Sequence, residues 1–245
     1  MAALSAPRRV TPIIALDVAD AASARSLVSQ LGGHCDYYKV GLELFTAVGP
    51  SIVEWLRGEG KQVFVDLKLH DIPNTVRAAS RSVARHGASL LTVHASGGAE
   101  MVRAAVDGAA EGSSGRMGSC GILGVTILTS LDSSTLGAAW GRPPVDVQSE
   151  VMRLAELARS SAAMGIVCSG LEAAAVHATY GDSLGLLIPG IRLPGGDAHD
   201  QRRVMTPVAA MEAGARWLIL GRAETTAADP IAALQAVHES LRGTG

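Results

Sequence analysis

The chain has very little cysteine: Cys35, Cys120 and Cys168 are its three thiols in 245 residues. They lie far apart, are odd in number and show no CxxC spacing, which argues against a disulfide framework and for a reducing compartment, with each thiol a small buried side chain. An excess of charge is missing as well. With a formal net charge of -2 and a sequence pI near 6.4, there is no basic face for nucleic acid and no polybasic tag for a membrane. Any anion must be held by a local site. No uncharged apolar run is long enough to span a bilayer. The opening residues, MAALSAPRRVTPIIALDV, lack the order of a signal peptide, because Arg8 and Arg9 follow only a few apolar residues and no apolar stretch precedes a cleavage site. The expectation is a cytoplasmic protein whose residues 1–9 form a disordered arm. GxGxxG, P-loop, HExxH and EF-hand patterns are absent, as are linkers, low-complexity tracts and solenoid repeats.

What is present is apolar: 48% of the residues are hydrophobic, enough for a large core. Short β-branched or Leu-rich runs recur along the chain: PIIALDV from Pro12, YYKVG from Tyr37, QVFVDLKL from Gln62, SLLTVHA from Ser89, GILGVTIL from Gly121, GIVCSG from Gly165, LLIPGI from Leu186 and RWLILGR from Arg216. Near-continuous apolar runs mark parallel strands buried on both faces. Ala-rich segments of helical spacing lie between them, such as AASARSLVSQL, TVRAASRSVARHG, EVMRLAELARSSAAMG and TPVAAMEAGA. Gly32, Gly87 and Gly214 read as helix stops. Eight βα units fit a closed (β/α)8 TIM barrel, an α/β fold spanning residues 1–245 as one domain. A doubly wound sheet would open with a Gly-rich turn that is not there.

Barrels of this kind place their active site at the C-terminal ends of the strands. Those ends are polar here. Strand one closes on Asp17, strand two on Lys39, and strand three on Asp66 and Lys68 with Asp71 just beyond. Strand four closes on His94, strand five on Thr129 and Ser130, strand seven on PGIR with Arg192, and strand eight on Arg222. Asp66 and Lys68 are two apart, so a strand puts both on one face, and only the interior mouth can take them. Lys39 reaches the same volume. Such a cluster holds its members charged and is preorganised to stabilise developing charge. The competing reading, a buried ion-pair network that fixes register, is weakened by the charges that also close strands one and two. His70 is assigned to the face opposite Lys68, for packing or a helix-side hydrogen bond. His94 is read as a satisfied strand-end histidine, since no second histidine stands at ligand spacing.

A second constellation lies at strands seven and eight. PGIRLPGGDAHDQRR, from Pro189, holds a Gly-rich loop and Gln201, and LGRAETTAADP, from Leu220, holds Gly221 and Arg222. These two loops of α/β barrels commonly build a phosphate site from backbone N–H groups, a helix N-terminus and an arginine. Arg222 is the candidate bidentate grip. The plainer alternative is an ordinary loop arginine beside a helix-stop glycine. The Gly195-Gly196 pair suggests a lid. Together the two constellations imply a small phosphorylated substrate whose reacting end faces the Asp/Lys cluster.

DLKLHDIPNT resembles the signature of the orotidine 5'-monophosphate decarboxylases of bacterial type. The resemblance runs on through LDV, YYKVG, TILTSL, PGIR followed by DQRR, and LGR, in the family's order over nearly the whole chain. It implies removal of CO2 from orotidine 5'-monophosphate to give uridine 5'-monophosphate, with neither metal nor organic cofactor. By that resemblance Lys68 is the general acid, Asp66 faces the substrate carboxylate, and Lys39 and Asp71 complete an alternating charge network. Asp71, Ile72 and Thr75 would reach the neighbouring subunit's site in a homodimer. Asp17 would hold the ribose, Thr129 and Ser130 the pyrimidine edge, and Arg192, Gln201, Gly221 and Arg222 the phosphate and lid, with Pro189 also binding substrate. Two rivals stand beside this reading. One is a sugar-phosphate decarboxylase or epimerase of the same barrel group, which would need a Mg2+-binding carboxylate near the end of strand two, where this chain has Lys39. The other is a non-catalytic phosphate-binding barrel.

Overall fold

A computed structural model of the chain describes residues 10–115, 118–193, 205–221, 225, 227 and 229–242. The arm expected over residues 1–9 lies outside the described residues. Eight parallel strands close into a barrel in sequence order, as the pattern of apolar runs predicts. They are β1 (Thr11–Ala15), β2 (Tyr37–Gly41), β3 (Gln62–Leu69), β4 (Leu90–His94), β5 (Gly121–Val125), β6 (Gly165–Val167), β7 (Gly185–Ile188) and β8 (Trp217–Leu220). Pairing of Thr11 with Trp217 through Ile14 with Leu220 joins the last strand to the first.

The helices are α1 (Ala21–Leu31), α2 (Leu42–Val48), α3 (Ser51–Gly58), α4 (Pro73–Arg85), α5 (Ala99–Ser113), α6 (Ser133–Ala139), α7 (Val147–Ser160), α8 (Gly170–Tyr180), α9 (Pro207–Glu212) and α10 (Pro230–Arg242). Among the described residues, two links carry a pair of helices where simple βα alternation expects one. After β2, the helical run breaks at Gly49, whose φ of 77° ends α2, and Pro50 leads into α3. After β5, Asp132 accepts hydrogen bonds from the backbone N–H groups of Ser134 and Thr135 while the Thr135 hydroxyl accepts from Asp132 N–H, a reciprocal cap that starts α6. Gly32, Gly87 and Gly214 all have positive φ, as helix stops should.

Side chains alternate between two cores. Ile14, Val40, Val65 and Val93 face outward into the large cluster shared with the helices. Ala15, Tyr37, Phe64, Leu90, Leu123, Leu187 and Ile219 form a separate cluster inside the barrel. Helices α4 and α5 pack closely because α5 presents two glycines to α4. A Cβ on Gly108 would lie 2.1 Å from the carbonyl oxygen of Arg77, and one on Gly112 2.3 Å from that of Arg81. Across this seam Glu111 of α5 accepts hydrogen bonds from the guanidinium groups of Arg77 and Arg81.

One strand departs from regular pairing. Val65 pairs with Leu91 but Leu69 pairs with Val93, so β3 uses four steps where β4 uses two. Within that bulge Lys68 has φ 51°. A non-glycine residue in the left-handed region costs about 1–3 kcal/mol and persists only where its surroundings hold it.

Candidate active site

Two residues beyond each interior apolar position the next layer of the barrel begins. From Ala15, Tyr37, Phe64 and Leu90 that step reaches Asp17, Lys39, Asp66 and Thr92; from Leu187 and Ile219 it reaches Pro189 and Gly221. Strand alternation therefore delivers a ring of polar groups to the mouth without any special turn. The Lys39 ammonium donates to Asp17 Oδ1 at 2.9 Å and lies 4.0 Å from Asp66 Oδ2. The Lys68 ammonium donates to Asp66 Oδ2 at 2.8 Å. Asp66, with 13% of its side chain exposed, thus holds two cations, and Lys39 shares two carboxylates.

Sequence reasoning missed two contributors. The Thr92 hydroxyl donates to Asp66 Oδ1 at 2.9 Å and accepts from the backbone N–H of Lys68 at 2.9 Å. Thr92 is fully buried. Its signal is present in the sequence, in the inward parity it shares with Leu90 two residues earlier. Gly41 is the other. A Cβ there would stand 2.9 Å from Lys39 Nζ and 3.7 Å from Asp17 Oδ1, so the glycine leaves room for that ion pair.

A cavity of about 220 Å³ opens at this layer. Asp17, Lys39, Asp66 and Lys68 line it from β2, β3 and the residues just beyond β1, and Thr129, Pro189, Arg192 and Gly221 line it from the chain that follows β5, β7 and β8. Apolar Leu128, Val167 and Ile219 fill in the wall between. Arg192 is 7% exposed and its Nη1 donates to the Ile191 carbonyl at 2.6 Å. Ser130 is exposed and is not among the wall residues. Strand five ends at Val125, so Thr129 and Ser130 belong to the loop beyond it and not to the strand end. Gln201 and Arg222, Gly195 and Gly196 of the expected lid, and most of the loop expected to hold a phosphate lie outside the described residues.

Asp71, Ile72 and Thr75 are not brought to the cavity of their own chain. All three are exposed at the start of α4, and Asp71 Oδ1 accepts from Ile72 N–H at 2.7 Å. Ile72 is 67% exposed. The histidines need a correction. Strict alternation would put His70 on the same side as Lys68, two residues earlier, and not opposite it; the bulge and the left-handed Lys68 break the alternation between them. His70 is exposed at the end of β3 and its ring stands 5.4 Å from that of His94. Among the described residues no hydrogen bond from a helix reaches it. His94 has its pKa pushed down by burial, then by the neighbouring His70 and Lys68, with Asp66 opposing. Among the described residues no group of three or more His, Cys, Asp or Glu side chains is placed to hold a metal ion. No described helix is long and apolar enough to cross a membrane.

The arrangement is one fixed carboxylate between two ammonium groups at the mouth of a pocket whose far side offers an arginine. It can stabilise negative charge that appears beside Lys68, and supply a proton there, while an anionic group is held some distance away.

Comparison with known proteins points in one direction. The model of the family described as "Orotidine 5'-phosphate decarboxylase / HUMPS family" matches residues 11–237. A protein of Paramagnetospirillum magneticum named orotidine 5'-phosphate decarboxylase is 47% identical over 238 residues, 95% of this chain and 99% of the relative. One of the same name from Thermobifida fusca is 46% identical, over 95% of this chain and 96% of its own length. The crystal structure of orotidine 5'-phosphate decarboxylase from Lactobacillus acidophilus superposes with a TM-score of 0.85 at 35% identity, covering 95% of this chain and 99% of that one.

Proposed function

This chain belongs to the orotidine 5'-phosphate decarboxylase / HUMPS family, and from that premise we propose that it converts orotidine 5'-monophosphate to uridine 5'-monophosphate and CO2, a step of pyrimidine synthesis. The observation that carries the proposal is the Lys39–Asp66–Lys68 cluster facing a cavity with Arg192 on its far wall. Breaking the ring-to-carboxylate bond leaves an electron pair on a ring carbon, in the plane of the ring, where the π system cannot spread it. An ammonium already in place is the simplest stabiliser of that charge. Lys68 donates a proton to the carbon, becomes a neutral amine and regains a proton from solvent. Asp66 faces the departing carboxylate, and Lys39 holds Asp66 and Asp17 in position.

Asp17 takes the ribose, Thr129 and Ser130 the pyrimidine edge, and Pro189, Arg192, Gln201, Gly221 and Arg222 the phosphate. Binding energy at the phosphate, remote from the reacting carbon, is what orders the charged end. The protein works as a homodimer in which Asp71, Ile72 and Thr75 serve the partner's cavity. Support for this comes from the exposed Ile72 and from Asp71, which is exposed and does not line its own chain's cavity. Three buried free thiols favour a cytoplasmic setting.

Loss of the orotate absorbance on mixing the protein with orotidine 5'-monophosphate is the direct test; ligand-induced stabilisation without turnover would instead mark a non-catalytic barrel. EDTA is expected to leave the rate unchanged. Inhibition reversed by Mg2+ would favour the sugar-phosphate rival, which the names of relatives at 41–48% identity do not support. Mixing inactive Asp71→Ala and Lys68→Ala subunits should restore roughly one quarter of wild-type activity if sites are shared across a two-fold interface. No recovery would rule out shared sites.

A further inference from the structure

Thr92 has no part in the proposed chemistry, yet its hydroxyl touches both the Asp66 carboxylate and the Lys68 main chain. We infer that Thr92 is a positioning residue for decarboxylation: it fixes which oxygen of Asp66 faces the two ammonium groups and locks Lys68 in the backbone conformation that presents its amine. The inference rests on the function proposed above.

The direction of each hydrogen bond is dictated by its partners. A backbone N–H can only donate, so Lys68 N–H must give its proton to Thr92 Oγ1 at 2.9 Å. An ionised carboxylate can only accept, so the one hydroxyl proton goes to Asp66 Oδ1 at 2.9 Å. No freedom remains in the hydroxyl rotor. With Oδ1 taken, Oδ2 is the oxygen left for Lys68 at 2.8 Å and Lys39 at 4.0 Å. The same bond resolves the irregularity of β3. At the bulge the β4 register has jumped, and Lys68 N–H finds a side-chain oxygen of β4 where the ladder would have supplied a carbonyl. A left-handed lysine is unfavourable by itself, and this bond is what its surroundings offer to hold it. Thr92 is buried to 0% exposure on a strand paired on both sides, so it is itself rigidly placed. One hydroxyl therefore couples the carboxylate's orientation to the lysine's backbone, and losing it loosens both at once.

Thr92→Val keeps the shape and removes the hydroxyl; Thr92→Ser keeps the hydroxyl and removes the methyl. For Thr92→Val, kcat should fall by about 10- to 100-fold, the scale of a misplaced reacting group, while KM and the affinity for uridine 5'-monophosphate stay within about threefold, because Arg192, the proposed phosphate contact, follows β7, across the closed barrel from β3. Thr92→Ser should recover kcat to within about threefold of wild type. A packing role predicts the reverse order, since serine leaves a hole and valine does not. Should Thr92→Val be recovered unfolded, Thr92→Cys, similar in volume but a feeble donor, is expected to show the same loss in kcat. Wild-type kcat in the valine or cysteine variant, or a serine variant as slow as either, would overturn the inference. A wild-type protein that leaves orotidine 5'-monophosphate unchanged would refute the functional reading instead, and this inference with it.

Discussion

Two sets of ion pairs sit on neighbouring stretches of the chain and differ in almost everything but chemistry. On the outer surface, Glu111 bridges Arg77 and Arg81 across α4 and α5, with side chains between 34% and 47% exposed. At the barrel mouth, Asp66 bridges Lys39 and Lys68 with side chains between 11% and 30% exposed. Water screens the first set, and long flexible side chains lose entropy to make it, so such pairs contribute little. Strands, the Thr92 hydroxyl and the room left by Gly41 hold the second in place before any substrate arrives. Paired charges mark a working site when the backbone has been arranged around them, and decorate a surface when it has not.

That contrast is most severely tested at its centre. Lys68→Ala should lower kcat by about 10⁴-fold or more, the upper range for a positioned acid, while uridine 5'-monophosphate still binds; a loss of less than tenfold would remove Lys68 from the chemistry. Gly41→Ala comes next. The added methyl must push Lys39 Nζ away from Asp17, and kcat should fall about tenfold with the fold intact. A wild-type rate would show that the Lys39 ammonium need not be where it is.

His94 offers a smaller, pH-dependent effect. Its folded pKa lies below the ordinary value of 6.5, so between those two values the unfolded chain binds more protons than the folded one. The neutral imidazole's contribution to stability is complete above pH 6.5 and is lost as pH falls through the folded value. His94→Gln should therefore lose less Tm than wild type between pH 7.5 and pH 5.5; equal losses would contradict the depressed pKa. Smallest of all is Glu111→Gln, for which kcat is expected to stay unchanged. A large fall in kcat would mean that the two sets of ion pairs are not separable.

Most of the fold is legible in the sequence, because parallel strands buried on both sides need unbroken apolar runs. YYKVG and QVFVDLKL coincide with β2 and β3 to the residue. Alternation from Tyr37 and Phe64 likewise places Lys39 and Asp66 at the mouth. What stayed hidden depends on a backbone angle or a partner strand. Nothing in KLH announces that Lys68 takes a positive φ, and without that bulge the side on which His70 lies is misjudged. Thr92 is an unremarked threonine in LLTVH until β4 is laid against β3. The split into α2 and α3 was written in VGPS, yet a glycine and a proline there also suit a simple loop. The intersubunit role proposed for Asp71, Ile72 and Thr75 rests on resemblance, since no pattern within one chain says that a residue serves another.

The glycine seam between α4 and α5 sets a mechanical tolerance for the site. α4 begins at Pro73, four residues after β3 ends, so the same short connection anchors both the lysine strand and the segment 71–75. A methyl added at Gly108 would strike the Arg77 carbonyl, which is backbone and cannot swing aside. The helix itself would have to move, and its start with it. Alignment at the barrel mouth is thus gauged partly by how closely two outer helices touch, on a surface that no substrate ever meets.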